Sequence, residues 1–332
     1  TALEGADVVL NAVRVGGLGA RVFDETFPQR RGEPGEETMG PGGFANALRT
    51  IPAVTPVWED CLRVAPDALL INLTNPSGIV VAAMERLLGL RIVSICDSPV
   101  AFCDKIAERL GLSVEAVRRR YQGMNHMGWW TPEDQAQLDA TIDLALDQDP
   151  DAVRAQAAIG APYVRYYIHP ERLLAKQRAA PEVRAEQLQR LESELLAGYS
   201  SGSVELPRRG AVWYELAVLP LVDAWFNGSP EIITVGLRND GRIAGLPDDV
   251  ITEGPIRIAR PGQVEPLPME PLPALPAALL AQHAAYESLA ADAAMPGTPR
   301  SGRVRALMAN PMVGSYDLAA HLVDDIEAGS PT

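Results

Sequence analysis

Leu90-Arg91-Ile92-Val93-Ser94-Ile95-Cys96-Asp97-Ser98-Pro99 reads as a strand that runs straight into a helix start. Its apolar residues are contiguous and mostly β-branched, the composition of a strand buried on both faces of a parallel sheet. In open α/β sheets ligands sit beyond the carboxyl ends of the strands, so Cys96 lands in the crevice where chemistry is done. Two other runs repeat the pattern. Residues 68–73 end in Thr74-Asn75-Pro76-Ser77-Gly78, and residues 7–10 end in Asn11-Ala12-Val13-Arg14-Val15-Gly16-Gly17. Three strand ends thus bring Arg14, Asn75 and Cys96 to one rim. A Cys after a strand is by itself more often a small buried hydrophobe. Here it has company: thirty residues on stands the pair Asn125-His126. Thiolate and imidazole are the softer common ligands, and the two suggest a metal held at the mouth of the sheet.

Further motifs stand in order along the chain. They are Gly35-Glu36-Glu37-Thr38-Met39-Gly40-Pro41-Gly42-Gly43-Phe44, then Gly123-Met124-Asn125-His126-Met127-Gly128, then Pro162-Tyr163-Val164-Arg165-Tyr166-Tyr167. Arg209-Gly210-Ala211-Val212-Trp213-Tyr214, Arg238-Asn239-Asp240-Gly241-Arg242-Ile243 and Ala285-Tyr286-Glu287 follow. With the strand ends, their order and spacing resemble glycoside hydrolase family 4 over nearly the whole chain, and in overall pattern the 6-phospho-β-glucosidases of that family. Any one motif is a weak signal; six in order are a strong one.

The resemblance implies an α/β fold: a Rossmann-like parallel sheet over residues 1–121, N-terminally incomplete, and a second, α+β substrate domain over residues 122–332, as in the lactate/malate dehydrogenase-like superfamily. It implies NAD and a divalent metal, Mn2+ by preference, and a reaction outside ordinary two-carboxylate hydrolysis. In that reaction 6-phospho-β-glucosides are oxidised at carbon 3, lose a proton from carbon 2, eliminate the leaving group, add water and are reduced again.

By the same match Cys96 and His126 hold the metal, and Tyr214 is the base. Asn11 and Asn75 contact the cofactor. Arg14, Glu37, Asn75, Asn125 and Arg238 contact the sugar and its phosphate. Laying the family's Arg-Gly-Gly on Arg209-Gly210 makes Tyr214 the base and puts Asn227 at a downstream Asn position; the register Arg208-Arg209-Gly210 puts Trp213 there instead. Asp97 resembles the general acid of the family's 6-phospho-α-glucosidases, which keeps the α anomer open beside the β. Such an acid would protonate the leaving oxygen. Two rival classes stand against both: a sugar-phosphate-binding relative without catalysis, and a 2-hydroxy acid dehydrogenase.

The chain opens at Thr1-Ala2-Leu3-Glu4-Gly5-Ala6-Asp7, a segment that in the family follows the first elements, and no Gly-x-Gly-x-x-Gly turn precedes it. It lacks an initiator Met, which points to a piece of a longer polypeptide; true loss of the pyrophosphate loop is the other possibility. Within 332 residues, 47% apolar, a substantial core can form, and no stretch is long or apolar enough to span a membrane. Cys61, Cys96 and Cys103 give no paired framework, as expected of a reducing cytoplasm. A net charge of −14 disfavours nucleic acid and anionic membranes, so a phosphorylated disaccharide or glucoside must be met by a local basic pocket. A homodimer or homotetramer is expected from the family.

Residues 134–199 read as helical, 232–235 and 256–258 as strands, 215–225 as a helix. Residues 266–276 read as a proline-rich connector before a helix at 277–293. His169, His283 and His321 have no evident companions and are given no role.

Overall fold

The computed structural model describes residues 2–202 and 214–330. The first half alternates strand and helix: β1 (Val8–Asn11), α1 (Gly17–Arg30), α2 (Gly40–Val64), β2 (Leu69–Asn72), α3 (Ser77–Leu88), β3 (Val93–Ser94), α4 (Asp97–Leu110) and α5 (Val114–Arg118). A hairpin follows, β4 (Tyr121–Met124) and β5 (Met127–Trp130), then α6 (Gln135–Thr141), α7 (Pro150–Gln156), β6 (Ile159–Gly160), α8 (Arg165–Ile168), α9 (Pro170–Ala179) and α10 (Arg184–Ser201). After a wide π-type turn at Tyr214–Val218 come α11 (Leu219–Asn227), the ribbon β7 (Ser229–Arg238) and β8 (Ile251–Arg260), β9 (Gln263–Pro266) and three helices, α12 (Ala274–Ala293), α13 (Arg300–Ala309) and α14 (Tyr316–Gly329). Among the described residues no helix is long and apolar enough to cross a membrane.

The nine strands of the described residues form one sheet, in the order β1-β2-β3-β7-β8-β4-β5-β6, with β9 paired to β8. The first three are parallel, Leu10 opposite Ile71 and Asn72 opposite Ser94. From β3 onward every pairing is antiparallel, Ser94 opposite Gly236 and Gly123 opposite both Gly128 and Glu253. The alternation of β and α gives the parallel part because each crossover helix returns the chain to the same end. The long strands β7 and β8 need no crossover and pair as a hairpin.

The sheet continues across residue 121, and so does the core. Phe27, Phe44, Ile51, Trp58, Ile79 and Met84 of the first half pack with Tyr286, Leu307 and Leu322 of the last three helices. The opposite face buries Leu69, Ile71, Val93 and Ile95 under Ala217, Leu221 and Ala224. The described residues after 121 bury a cluster of their own, Met124, Met127, Trp129, Val164, Val250 and Leu280, and also share the core of the first half, where α12 packs on α3 and α2. The proline-rich tract is shorter than its composition suggests, since β9 reaches Pro266 and α12 starts at Ala274. A ladder needs no N–H from Pro266 at its end, and the prolines at the start of α12 need no partner there either.

His283 is a second correction. It is 2% exposed, its Nε2 lies 3.2 Å from Glu287 Oε1, and its Nδ1 lies 3.4 Å from the Tyr167 hydroxyl. Its companions come from its own helix one turn on and from a segment more than a hundred residues away, and only the latter is beyond local reading.

Candidate active site

Past the carboxyl ends of β1, β2 and β3 lies a cleft of about 700 Å³. Arg14, Asn75, Cys96, Asp97, His126 and Tyr214 all line it. Cys96 is the residue at which the chain leaves β3 and enters α4, and its Sγ accepts the Ser98 N–H at 3.4 Å, capping the helix. His126 arrives from the other lobe of the sheet. Met124 pairs with Met127, so Asn125 and His126 are the two-residue turn of the β4–β5 hairpin. His126 takes φ +62°, a left-handed conformation uncommon outside glycine, though histidine, like asparagine and aspartate, enters it more often than most. That turn lays the imidazole flat on Tyr163, centroids 3.9 Å apart and planes 7° from parallel.

The result is a Cys96 Sγ to His126 Nε2 separation of 3.5 Å with both side chains buried. Burial first, and the His283 charge second, lowers the His126 pKa to about 3, so the ring is neutral and has a lone pair to give. Burial, then Glu253 and Asp97, pushes the Cys96 thiol well up, so thiolate forms there only beside a cation. The pair fits a divalent ion. Zinc-like bonds of about 2.3 Å to thiolate and about 2.1 Å to imidazole at a tetrahedral angle put the two ligand atoms about 3.6 Å apart. Among the described residues no group of three or more His, Cys, Asp or Glu gathers here or elsewhere. An ion held by this pair alone would have positions left for substrate oxygens or water, as in catalytic sites.

The cleft wall carries more basic than acidic side chains, Glu37, Asp97 and Asp143 being the acidic ones. Arg14 and Arg21 both pair with the buried Glu37, Arg21 Nη1 at 2.8 Å, and Arg21 Nε also reaches Glu25 at 2.6 Å. Lys105, Arg165 and Arg184 add to the lining. Sequence reading missed Arg21 and these three residues. Arg165 stands with Tyr163 inside a motif that could have flagged it, whereas Arg21, Lys105 and Arg184 sit on ordinary helical stretches without a local signal. Glu37 serves as the acceptor that holds the two arginines together.

Three expected site residues are placed otherwise. Asn11 faces the floor: its amide donates to Asn72 Oδ1 at 2.8 Å, Asn72 in turn donates to the Ser77 hydroxyl at 2.8 Å, and Ser77 meets Ser94 at 2.7 Å. Successive strand residues alternate faces, so the position at the strand end turns inward. Asn125 also points inward, accepting the Ser77 N–H at 3.3 Å and donating to Glu253 Oε1 at 3.2 Å. Arg238 is at the other end of the sheet, bonded to Asp240 at 2.8 Å in a separate cleft with Glu85 and Arg91. Because β7 runs antiparallel to β3, its last residue lies at the amino ends of the parallel strands. Tyr214, 37% exposed, borders the cleft, whereas Arg208, Arg209, Gly210 and Trp213, on which the choice of register turns, lie outside the described residues.

Comparison with known proteins shows the family of the chain. A family 4 glycosyl hydrolase model matches residues 1–112, and the model of the family's C-terminal domain matches residues 121–313. A probable 6-phospho-beta-glucosidase of Bacillus subtilis is 31% identical, over 98% of this chain and 79% of the relative. A phospho-alpha-glucosidase of Clostridium acetobutylicum is 28% identical over 98% and 81%. Among solved structures, the 6-phospho-beta glucosidase of Thermotoga maritima with NAD and glucose-6-phosphate superposes with a TM-score of 0.85 at 28% identity, covering 98% of this chain and 82% of that one. Another structure of that enzyme holds manganese, NAD+ and glucose-6-phosphate. Matched over both of its domains, in order and in fold, the chain belongs to family 4 of the glycosyl hydrolases.

Proposed function

We propose that this chain hydrolyses 6-phosphoglucosides, with the β anomer as the first reading, using NAD and a divalent metal, manganese by preference. The observation that carries this is the Cys96–His126 pair, 3.5 Å apart on a cleft whose wall also holds Tyr214, Asp97 and a cluster of arginines. The relatives and the solved neighbours, as named above, support the substrate class.

Cys96 and His126 would hold the ion, which when bound supplies Lewis-acid stabilisation of negative charge on a sugar oxygen. NAD, when bound, would supply reversible hydride-transfer chemistry at carbon 3. Residues 12–14 and 73–75, at the ends of β1 and β2, line the cleft and would face the cofactor. There the Val13 N–H donates to Thr74 Oγ1 at 2.9 Å and the same hydroxyl donates to the Val13 carbonyl at 3.0 Å, tying two strand ends together.

Tyr214 takes the carbon 2 proton, a task that suits a phenol only beside a cation. Asp97, in the first turn of α4, donates a proton to the leaving oxygen. Arg14, Arg21, Arg165 and Arg184 bind the 6-phosphate through planar guanidinium donors, against a chain of net charge −14. Tyr163 stacks on the His126 ring and keeps water from that face of it.

Asp97 also favours a second reading, a 6-phospho-α-glucosidase. Its Oδ1 lies 3.9 Å from Cys96 Sγ, which would put a carboxyl group beside an ion held there and supports a role as acid for a poor leaving group. The test is calorimetric titration of the chain with NAD, with and without manganese, followed by assay on p-nitrophenyl 6-phosphoglucosides of both anomers. Turnover of either anomer that requires both NAD and manganese is the expected result. No NAD binding and no turnover of either would overturn the reading.

A further inference from the structure

A metal-binding histidine is usually oriented by a hydrogen bond from its second ring nitrogen to a carboxylate or carbonyl. Among the described residues His126 has no such bond: Nδ1 is buried and without a hydrogen-bond partner there. Something else must aim Nε2 at Cys96. Two features remain, the flat contact with Tyr163 and the backbone of the turn. The turn residue is in the left-handed region at φ +62°, and such a conformation persists only where the surroundings impose it.

The imposing groups lie behind the turn. The amide of Asn125, the residue next to His126, is held at both ends: its Oδ1 accepts the Ser77 N–H at 3.3 Å, and its Nδ2 donates to Glu253 Oε1 at 3.2 Å. Glu253 is 1% exposed on the central strand β8, opposite Gly123 on one side and Gly236 on the other, and its second oxygen accepts the Tyr121 hydroxyl at 3.3 Å. Tyr121 reaches it only because Gly128 lacks a side chain: a Cβ there would lie 2.6 Å from Tyr121 Cζ. The turn is thus clamped to the first residue of α3 and to the middle of the sheet by one amide and one carboxyl group.

We infer that Glu253, acting through Asn125, is a positioning residue that fixes the His126 turn and so sets the affinity of the Cys96–His126 pair for a divalent ion. It touches neither substrate nor ion. The inference rests on the metal reading proposed above.

The test is titration of the full chain with Co2+, read by the thiolate-to-cobalt charge-transfer absorption, on Glu253→Ala, Glu253→Gln, Asn125→Ala and Cys96→Ser. Circular dichroism and glucose 6-phosphate binding without metal report the fold. Loss of a supporting partner of this kind weakens metal binding about 10–100-fold, which is the result expected of Glu253→Ala and Asn125→Ala. Glu253→Gln keeps an acceptor for Asn125 and should recover most of the affinity. Should Glu253→Ala fail to fold, Asn125→Ala and Glu253→Gln decide. Parent-like cobalt affinity in a folded Asn125→Ala or Glu253→Ala, with the band abolished in Cys96→Ser, would overturn this inference and leave the metal reading standing. Unchanged cobalt binding in Cys96→Ser would overturn the metal reading itself.

Discussion

Gly128→Ala adds one methyl group to the β5 strand, next to the candidate metal pair, and its cost can be worked from the packing. Gly128 does not have a positive φ, so alanine meets no backbone strain there, and the smaller entropy of its unfolded state would on its own stabilise the protein by about 0.4–1 kcal/mol. The contact outweighs that. The new Cβ would overlap Tyr121 Oη and stand 2.6 Å from Cζ and 3.1 Å from Cε2. Tyr121 is 1% exposed and packed edge-on against Phe102, so the ring has no free volume to enter. Overpacking of this kind costs about 1–3 kcal/mol. A displaced phenol also gives up its bond to Glu253, whose carboxyl pKa burial raises to about 7, a bond worth about 0.5–1.5 kcal/mol. The net expectation is a loss of about 1–4 kcal/mol in urea unfolding followed by tryptophan fluorescence. In a Tyr121→Phe background the overlap with Oη is gone, and the same substitution should cost about 1 kcal/mol less, a coupling of the size seen between touching residues. An alanine variant as stable as the parent, or an equal cost in both backgrounds, would refute the reasoning.

Three more outcomes are expected. Tyr214→Phe should let the sugar be oxidised, seen as a stoichiometric rise of reduced nicotinamide absorption, while release of p-nitrophenol falls by a factor of about 100 or more for loss of a general base; equal loss of both signals would remove Tyr214 from the base role. Asp97→Asn should slow natural leaving groups about 100-fold or more and nearly spare p-nitrophenolate, and a uniform loss would argue against an acid. Burial raises the Glu36 carboxyl above its usual 4.5, despite Arg21 and the Thr38 and Met39 N–H groups. The folded state then holds more protons than the unfolded chain above pH 4.5, so this group's contribution is fully present below that pH and is lost as pH rises through the folded pKa. Glu36→Gln should flatten the fall in stability above pH 4.5, measured as the urea midpoint at successive pH values, and an unchanged slope would exclude Glu36 as its source.

Much of this was legible in the chain itself. Contiguous β-branched runs ending in Asn, Thr and Cys announce parallel strands with a crevice at their ends, because buried strands must be apolar throughout while their tips need not be. That pattern sufficed to bring Arg14, Asn75 and Cys96 to one rim, and the ordered motifs were enough to attach His126, Asp97 and Tyr214 to it. Each of these residues is announced within a few positions of its own strand end or turn.

Side-chain direction and long-range partnership were decided only in three dimensions. Asn11 and Asn125 stand at the expected places yet turn inward, because each is bonded by groups 48 to 128 residues away or by a neighbouring strand. Arg238 reads as a site residue until the antiparallel run of β7 carries it to the opposite end of the sheet. Arg21 and Arg184 enter the cleft from helices whose local sequence carries no sign of it. Periodicity and turn chemistry are properties of neighbours in the chain, so sequence determines them. Which face a strand-end amide chooses, and which distant cation shares a wall, depends on pairings that exist only once the sheet has closed its order.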